Sequence, residues 1–262
     1  VISSATVEYL KGNKPDFKSL IQSNKNISKF VESVSKMRGA ALKIGQLISL
    51  EGSDFLPEDA IKTLSLLRKD ADKMPPKQLK SVLSKSIGEN FLHKLNFFDI
   101  NPIASASIGQ VHVAETKNGK KIAIKIQYPG VKKSIKSDIR NLSLLLKTSK
   151  IIPPQIDLDK LMNSAQKQLE QETDYLREAN YQKKFIELIK NEKKFKVPKI
   201  YNEFTTETSI SMDYIEGEPI NNSKNENQNI KNKIIYDLLY LFFKEIFEFN
   251  LMQTDPNFAN FY

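Results

Sequence analysis

Two short alternating segments, joined by an Asn-Gly turn, interrupt a chain whose other apolar residues mostly recur with a helical period. The segments cover residues 108–114 and 121–128, and Asn118-Gly119 lies between them. Alternation of apolar and polar residues is typical of half-buried strands, and Asn-Gly is a strong signal for a hairpin turn. The pattern therefore predicts an antiparallel hairpin within a largely helical chain, which is an α+β fold.

In the second segment, a lysine lies on the strand face opposite a row of isoleucines. Side chains alternate across a strand, so Ile122, Ile124 and Ile126 share one face, while Lys125 lies on the other. A lone strand lysine is most often simply solvated, so Lys125 by itself indicates no function. It becomes informative only together with further residues in a fixed order.

Helical patterns surround the hairpin. Apolar residues at steps of three and four predict a helix over 31–50, with Lys43 and Gln46 on a neighbouring stripe, and prolines separate it from helices over 58–68 and 77–86. The first ninety residues are therefore expected to be all-helical. The remaining predicted elements are helices over 134–147 and 157–190, strands over 197–204 and 208–215, a polar loop over 221–229 and an apolar helix over 230–249.

This order of elements is that of a kinase N-lobe, hinge and first C-lobe helix, preceded by a helical extension. We expect a protein-kinase-like α+β fold with an N-terminal helical extension, an antiparallel-sheet N-lobe and the start of a helical C-lobe, which the chain end truncates. The expected domains are 1–100 for the extension, 101–215 for the N-lobe, and 216–262 for the hinge and the C-lobe up to its catalytic loop.

Composition excludes several classes of chemistry. With no Cys and two His, the chain lacks the ligands for zinc sites and the thiols for disulfides or cysteine catalysis. A serine-hydrolase triad would depend on His93 or His112, and neither lies in a nucleophile-elbow context. The net charge of +9 is mostly lysine and fits a solvated helix face better than a nucleic-acid or lipid surface, since aromatics interleaved with arginine are missing.

Phosphoryl transfer needs few residue types, and the chain has several of them in the expected order. The chemistry requires a loop over the phosphates, a lysine held by a carboxylate, an Asp near the attacking oxygen and oxygen ligands for Mg²⁺. Lys125, in Ala123-Ile124-Lys125, has the pattern of a phosphate-binding strand lysine. Asp255 and Asn260 keep the five-residue spacing of a kinase catalytic loop and follow the apolar helix directly.

Acidic residues between the hairpin and the apolar helix offer partners for the lysines. Asp174 and Glu178 are four apart on a predicted helix and share a face, whereas Glu172 points elsewhere. Such acids are ordinary on an exposed helix. Because Lys43 and Lys125 both need partners near a phosphate site, ion pairing is at least as good an interpretation.

Taken together, these residues make the chain resemble the UbiB/ADCK family of atypical kinase-like proteins, whose eukaryotic branch supports coenzyme Q biosynthesis. Five motifs match in order, so the resemblance is highly specific. They are Lys43-Ile44-Gly45-Gln46 (the KxGQ motif), 104–112 (the Ala-rich loop), 124–131, 172–179 (the ExD segment) and 253–261.

The resemblance implies a nucleotide site that binds ATP or ADP with Mg²⁺. If the family's functional residues are assigned to the matching positions of this chain, Lys125 pairs with Glu178 and binds phosphate. Asp255 takes the position of the catalytic Asp, and Asn260 binds the metal together with an acidic ligand beyond the chain end.

The same resemblance implies a regulatory role for the helical extension. Lys43 and Gln46 reach into the nucleotide site, and Lys43 forms an ion pair with Glu172, with Asp174 nearby. The other implied nucleotide-binding residues are Ala104, Ser105, Ala106, Ser107, Ile108, Met212, Asp213 and Ile215.

The Ala-rich loop and the extension both suggest unusual nucleotide handling. Glycine lets a backbone approach phosphates at positive φ, where the Ala and Ser side chains of residues 104–107 would be costlier. In the family the extension covers the cleft where a protein substrate would lie. We therefore expect phosphoryl transfer to water or a small acceptor rather than to protein.

The two ends of the chain carry further expectations. The chain begins with Val1 rather than Met, so we expect it to be trimmed or internal to a longer protein. It stops at Tyr262 before any DFG-type segment, so this fragment alone is expected to be inactive. The segment Gln253-Thr254-Asp255-Pro256-Asn257 resembles the mitochondrial coenzyme Q proteins, which implies a mitochondrial location.

Three functions stay open. The leading hypothesis is an atypical kinase-like ATPase acting on coenzyme Q precursors or their biosynthetic complex. The second is a catalytically weak nucleotide-binding scaffold that organises a membrane-associated biosynthetic complex, and the third is a basic helical adaptor without a nucleotide site. The implied partners are a nucleotide, lipid or coenzyme Q precursors, the biosynthetic complex and a membrane surface. A nucleic-acid partner is not expected.

Overall fold

The fold combines helices with an antiparallel sheet. The computed structural model describes residues 37, 39, 40, 43, 44, 47, 73–149, 156–253 and 260–262. The helices in this part of the chain are α1 (Pro76–Ile87), α2 (Val131–Ser149), α3 (Leu158–Glu172), α4 (Tyr175–Ile189) and α5 (Gln228–Lys244). The strands are β1 (Leu95–Phe98), β2 (Ala104–Ser105), β3 (Gly109–Thr116), β4 (Lys121–Gln127) and β5 (Ser209–Asp213). Short 3₁₀ turns cover Phe91–Lys94, Asn202–Phe204 and Ile220–Asn225, and a π-helical turn, Glu245–Phe249, follows α5.

Internal contacts divide the chain into two compact units. The first unit comprises Val1–Pro75, Ala104–Gln110 and Gln127–Thr173. The second unit comprises Pro76–Ile103, Val111–Ile126 and Asp174–Tyr262. The domain boundaries expected after residues 100 and 215 stay a prediction.

The second unit is built on a sheet with the strand order β1-β3-β4-β5. β1 pairs with β3, and β4 with β5, in antiparallel register. The turn between β3 and β4 places Gly119 at a φ of +73°, which glycine adopts without a steric penalty, and the Gly119 N–H donates to the Thr116 carbonyl at 2.9 Å. The predicted hairpin is confirmed.

The isoleucine row of β4 forms the centre of the second unit. Ile122, Ile124 and Ile126 are each 0% exposed, and burying one such side chain contributes about 1.5–3 kcal/mol. The residues between them are only half buried, as the predicted alternation requires. Lys125 therefore lies on the face opposite the isoleucines, and in the ladder it pairs with Ile210 of β5.

The first unit is held by the packing of α2 on α3. The Asp157 side chain caps the start of α3 by accepting from the Lys160 N–H at 3.0 Å. Both helices bury one apolar stripe with steps of three and four. The buried residues are Ile135, Ile139, Leu142 and Leu146 on α2, and Leu161, Met162, Ala165 and Leu169 on α3.

The single helix predicted over 157–190 is wrong, because the chain breaks into α3 and α4. Asp174 begins α4 as its N-cap, with φ −96° and ψ 79°, and its side chain accepts from the Arg177 N–H at 3.0 Å. Asp is among the strongest N-cap residues, so a new helix start outweighs continued helical geometry here. Glu172 ends one helix and Glu178 lies in the first turn of the next.

The strand predicted over 197–204 is also wrong. That segment contributes one isolated bridge, between Ile200 and Met212, before the 3₁₀ turn Asn202–Phe204. The Lys199 N–H donates to the Asp213 carboxylate at 3.0 Å rather than to a backbone carbonyl of β5, which limits the pairing.

The segment predicted as a polar surface loop over 221–229 is mostly exposed where its side chains are described, but it contains most of the 3₁₀ turn Ile220–Asn225, and α5 begins within it at Gln228.

Three of the other predicted helices are confirmed. Helices at 77–86 and 134–147 are confirmed as α1 and α2, and the apolar helix is confirmed as α5 with its π-helical turn. The described residues within 39–47 are helical, and the helix predicted at 58–68 lies outside the described residues. None of the described helices is both long and apolar enough to cross a membrane.

Candidate functional site

The second unit places Lys125 of β4 beside Glu178 of α4. The Lys125 Nζ lies 3.7 Å from the Glu178 Oε2, and their side chains are 25% and 39% exposed. Glu178 lies in the first turn of α4, where the helix dipole favours a negative charge. The lysine is thus oriented by a carboxylate while part of its surface still faces solvent.

An aromatic ring supports this ion pair, and the sequence analysis did not identify it. The Lys125 Nζ lies 4.9 Å from the centroid of the Tyr175 ring, which is 0% exposed. A cation over an aromatic face gains about 0.5–2 kcal/mol and is held in place laterally. The available signal was the spacing, because Tyr175 precedes Glu178 by three positions and shares its helix face.

In the first unit, Lys43 pairs with Glu172, the last residue of α3. Lys43 is only 5% exposed, so its charge requires a partner. The other carboxylate oxygen of Glu172 accepts from the Ser107 hydroxyl at 3.1 Å. Glu172 therefore joins a helical residue of the extension to the Ala-rich loop.

The backbone at Gly39 also lies close to this loop. A Cβ added to Gly39 would lie 3.1 Å from the carbonyl oxygen of Ser107, which is tighter than ordinary van der Waals contact. Gly39 precedes Lys43 by four positions, and both residues are helical. Ser107 is thus contacted twice: its carbonyl lies against the backbone of Gly39, and its hydroxyl donates to the Glu172 carboxylate.

The Ala-rich loop has a conformation that needs no glycine. Among the described residues, positive φ occurs at Asn250, Gly88, Gly119 and Gly130, so residues 104–108 all have negative φ. The argument that alanine and serine would be costly in this loop is therefore wrong. Ala104 and Ser105 are exposed in β2, Ala106 donates its N–H to the Gly109 carbonyl at 2.7 Å, and Ile108 is buried.

Three of the predicted nucleotide-binding residues, Met212, Asp213 and Ile215, lie at the end of β5 or just beyond it. Met212 pairs with Ala123 of β4, and Ile215 is half buried just beyond the strand. The carboxylate of Asp213 accepts from the Tyr201 hydroxyl at 2.8 Å and from the Lys199 N–H at 3.0 Å. Burial, reinforced by the Asp213 carboxylate, raises the pKa of Tyr201 to about 12. Asp213 thus has a structural role, while a role for these three residues in nucleotide binding stays a prediction.

The remaining predicted site residues are placed differently or lie outside the described residues. Asp174 serves as the N-cap of α4. Gln46 and Asp255 lie outside the described residues, and Asn260 is exposed in a helical turn. Within the described part of the chain, no group of three or more His, Asp and Glu residues could hold a metal ion. The Mg²⁺ site therefore stays a prediction.

Comparison with known proteins identifies the family. Residues 66–262 match the model of the "ABC1 atypical kinase-like domain". The chain is 44% identical to "Atypical kinase COQ8, mitochondrial" of Saccharomyces cerevisiae over 254 residues, covering 97% of this chain and 51% of that protein. It is 40% identical to "Atypical kinase COQ8B, mitochondrial" of Danio rerio over 244 residues, covering 93% of this chain and 39% of that protein. The chain thus spans about half the length, or less, of these curated relatives.

A solved structure supports the fold assignment. The complex of Rv3197 with erythromycin from Mycobacterium tuberculosis matches with a TM-score of 0.60 and 25% identity, covering 94% of this chain and 63% of that one. The protein-kinase-like α+β fold is confirmed, and the relatives' names confirm the mitochondrial assignment. The chain belongs to the ABC1 atypical kinase-like family, in its mitochondrial COQ8 branch.

Proposed function

We propose that the full-length protein is an atypical kinase-like ATPase that supports coenzyme Q biosynthesis. It binds ATP or ADP with Mg²⁺ and transfers a phosphoryl group to water or a small acceptor rather than to a protein. The single observation that carries the proposal is the Lys125–Glu178 ion pair above the Tyr175 ring.

The chemistry of this ion pair fits a nucleotide. The bound nucleotide supplies the phosphoryl group, and its phosphates carry charge that an ammonium can neutralise. Glu178 and Tyr175 orient Lys125, while the gap of 3.7 Å and the 25% exposure let the ammonium bind a phosphate oxygen without first breaking a tight salt bridge. Lys125 thus neutralises phosphate charge at a fixed position.

The coenzyme Q part of the proposal rests on the relatives. The COQ8 protein of Saccharomyces cerevisiae and the COQ8B protein of Danio rerio are each at least 40% identical to this chain over the aligned residues. We expect the full-length protein to act on coenzyme Q precursors or with their biosynthetic complex at a membrane surface. Restored coenzyme Q synthesis in yeast that lacks its own COQ8 would support this; unchanged deficiency, with the protein stably present, would contradict it.

A second candidate function is a nucleotide-binding scaffold with weak catalysis. The Lys43–Glu172–Ser107 contacts favour it, because they tie the Ala-rich loop within the first unit rather than leaving it mobile. In this case nucleotide binding, rather than turnover, organises the protein's partners.

Nucleotide binding is tested by thermal unfolding of the full-length protein with and without Mg-ATP or Mg-ADP. Both candidate functions predict that nucleotide raises the melting temperature, and that Lys125→Ala abolishes the shift. Lys121→Ala is a matched control, because Lys121 lies on the same strand face and also pairs with a glutamate, Glu216, at 2.9 Å. No shift in wild type, or equal loss in both variants, would contradict a nucleotide site at Lys125.

Turnover separates the two candidate functions. ATP hydrolysis is measured for the full-length wild type and for Asp255→Asn. The ATPase proposal predicts hydrolysis that Asp255→Asn lowers by several orders of magnitude, whereas the scaffold predicts negligible hydrolysis in both. Equal, substantial rates would reject Asp255 as the catalytic residue.

A further inference from the structure

One buried glutamate organises the backbone that follows α5. Glu245 begins the π-helical turn Glu245–Phe249 and is only 5% exposed. Its main-chain carbonyl accepts from the Asn250 N–H and from the Leu251 N–H, the latter at 3.3 Å. Its side-chain Oε2 accepts from the Gln253 N–H, also at 3.3 Å. A single residue thus binds three of the four amides over residues 250–253.

The segment held by Glu245 is a sharp turn. Asn250 has φ 50° and ψ 30°, and among the described residues it is the one non-glycine residue with positive φ. Asn tolerates this left-handed conformation better than most residues, yet the conformation still depends on its surroundings. The Glu245 acceptors provide that support, because they bind the amides of Asn250 and of residues beyond it.

Glu245 lies where a carboxylate is otherwise unfavourable. Burial raises its pKa, and the hydrogen bond from the Gln253 N–H acts in the opposite direction. The residue also follows the C-terminus of α5, where the helix dipole disfavours negative charge. An apolar side chain would fit this position at lower cost, so the acceptor function of the glutamate is what distinguishes it there.

The turn is anchored to α4, the helix that carries Glu178. The Phe249 ring meets the Phe185 ring of α4 edge to face, with centroids 6.1 Å apart. Beside Glu245, Lys244 pairs with Glu192, just after α4, at 2.7 Å. The backbone at residues 250–253 is therefore fixed relative to α4 by contacts on both sides of Glu245.

We propose that Glu245 is a positioning residue, which fixes the backbone of residues 250–253 and thereby the point where the chain enters the catalytic-loop sequence. The inference rests on the proposed function, because its consequence for activity is a change in ATP turnover. Glu245 does not contact the nucleotide. It affects turnover only by fixing the backbone of residues 250–253.

Two variants of the full-length protein test this role. Glu245→Met keeps an unbranched side chain of similar length but removes the acceptor, whereas Glu245→Gln keeps an oxygen that accepts from the Gln253 N–H. Glu248→Gln is the matched control, because Glu248 lies in the same π-helical turn but is 58% exposed and pairs with Lys244. Steady-state ATP turnover and amide hydrogen exchange at Leu251 and Gln253 are measured for all four proteins.

Glu245→Met is expected to lower kcat by about 100-fold with KM changed less than about twofold, because only the geometry of the reacting groups is disturbed. Amide exchange at Gln253 accelerates in the same variant, whereas exchange at Leu251 stays near wild type, because its N–H donates to the main-chain carbonyl of residue 245. Glu245→Gln and Glu248→Gln keep wild-type exchange and stay within about threefold of wild-type kcat. Retained nucleotide stabilisation shows that Glu245→Met is folded.

Several outcomes would overturn the inference. The first is a wild-type kcat in Glu245→Met, and the second is unchanged amide exchange at Gln253 in that variant. The third is a Glu245→Gln protein whose kcat and amide exchange resemble those of Glu245→Met rather than those of wild type. Absence of turnover in the wild type would contradict the proposed ATPase instead. The exchange measurements would still decide whether Glu245 fixes this backbone.

Discussion

Each of the two units contains one of the lysine–glutamate pairs of the predicted site, and these two pairs differ in how tightly they are closed. In the first unit, the closed pair Lys43–Glu172 has side chains 7% and 31% exposed, and Glu172 also accepts from Ser107. In the second unit, the open pair Lys125–Glu178 is 3.7 Å apart, with side chains 25% and 39% exposed. The closed pair thus holds structural elements together, whereas the open pair leaves an ammonium available to a ligand.

The difference predicts opposite consequences for stability and binding. A buried charge that loses its partner is strongly destabilising, whereas an exposed ion pair contributes about 0–1 kcal/mol. Variants of the closed pair should therefore act on folding, and variants of the open pair on nucleotide affinity.

The largest effect is expected for Glu172→Ala. It leaves the buried Lys43 ammonium without its carboxylate, so we expect the free energy of unfolding to fall by about 3 kcal/mol. Glu170→Ala is the control on the same helix, because Glu170 is exposed and bonds to Gln166 at 2.9 Å. Denaturant unfolding measures both; losses of equal size would show that the ion pair with Lys43 is not the reason why Glu172 stabilises the fold.

The next effect should appear in binding rather than in stability. Glu178→Gln removes the charge that orients Lys125, so nucleotide affinity should weaken by about tenfold, while the free energy of unfolding changes by less than about 1 kcal/mol. Calorimetric titration with Mg-nucleotide and denaturant unfolding measure the two quantities. Glu187→Gln, on the same helix and paired with Lys190, serves as control. A large loss of stability with unchanged affinity would reverse the assignment of the pairs.

A smaller effect is expected for Ser107→Ala. Removing the hydroxyl that donates to Glu172 should lower the free energy of unfolding by about 1 kcal/mol. Ser105→Ala, in the exposed strand β2 of the same loop, should change it by less than about 0.5 kcal/mol. If both serine variants behave alike in denaturant unfolding, the bond to Glu172 is not what stabilises the loop.

At neutral pH the smallest effect is expected for His112, which lies outside both pairs and acts through the pH dependence of stability. Burial lowers the pKa of His112, which is 0% exposed and bonds through its Nδ1 to the Asp99 carbonyl at 2.8 Å. The unfolded state therefore binds a proton more readily, and stability should fall as the pH drops below about 6.5, by at most about 1.4 kcal/mol per pH unit. His112→Gln should remove this part of the pH dependence, and an unchanged profile between pH 5 and 7 would contradict it.

The sequence predicts most of the elements and the residue types of the site. Periodicity and the Asn-Gly turn give the hairpin and the face on which Lys125 lies, because both depend only on local geometry. The ordered motifs give the family. The break at Asp174 is also local, but a single capping residue competes there with a long helical pattern, and the cap determines where the helix begins.

The contacts that shape the site could not be predicted in the same way. The Ser107–Glu172 bond joins residues far apart in sequence, and no repeat or spacing relates them. For the contact of Lys125 with Tyr175, the one local signal is the three-residue spacing of Tyr175 from Glu178. The conformation of the Ala-rich loop likewise depends on its neighbours, since alanine and serine permit many backbone conformations. For Glu245, a buried acid at a helix end is indistinguishable in sequence from an exposed one.

The separate start of α4 at Asp174 has a consequence for insertions and deletions. In one continuous helix, an extra residue between Glu172 and Glu178 would rotate the second acid by about 100° relative to the first. Here each glutamate belongs to its own helix, and α4 has its own cap. We therefore expect that a glycine inserted after Thr173 leaves Glu172 paired with Lys43 and Glu178 paired with Lys125. A residue inserted between Asp174 and Glu178 would instead rotate Glu178 away from Lys125.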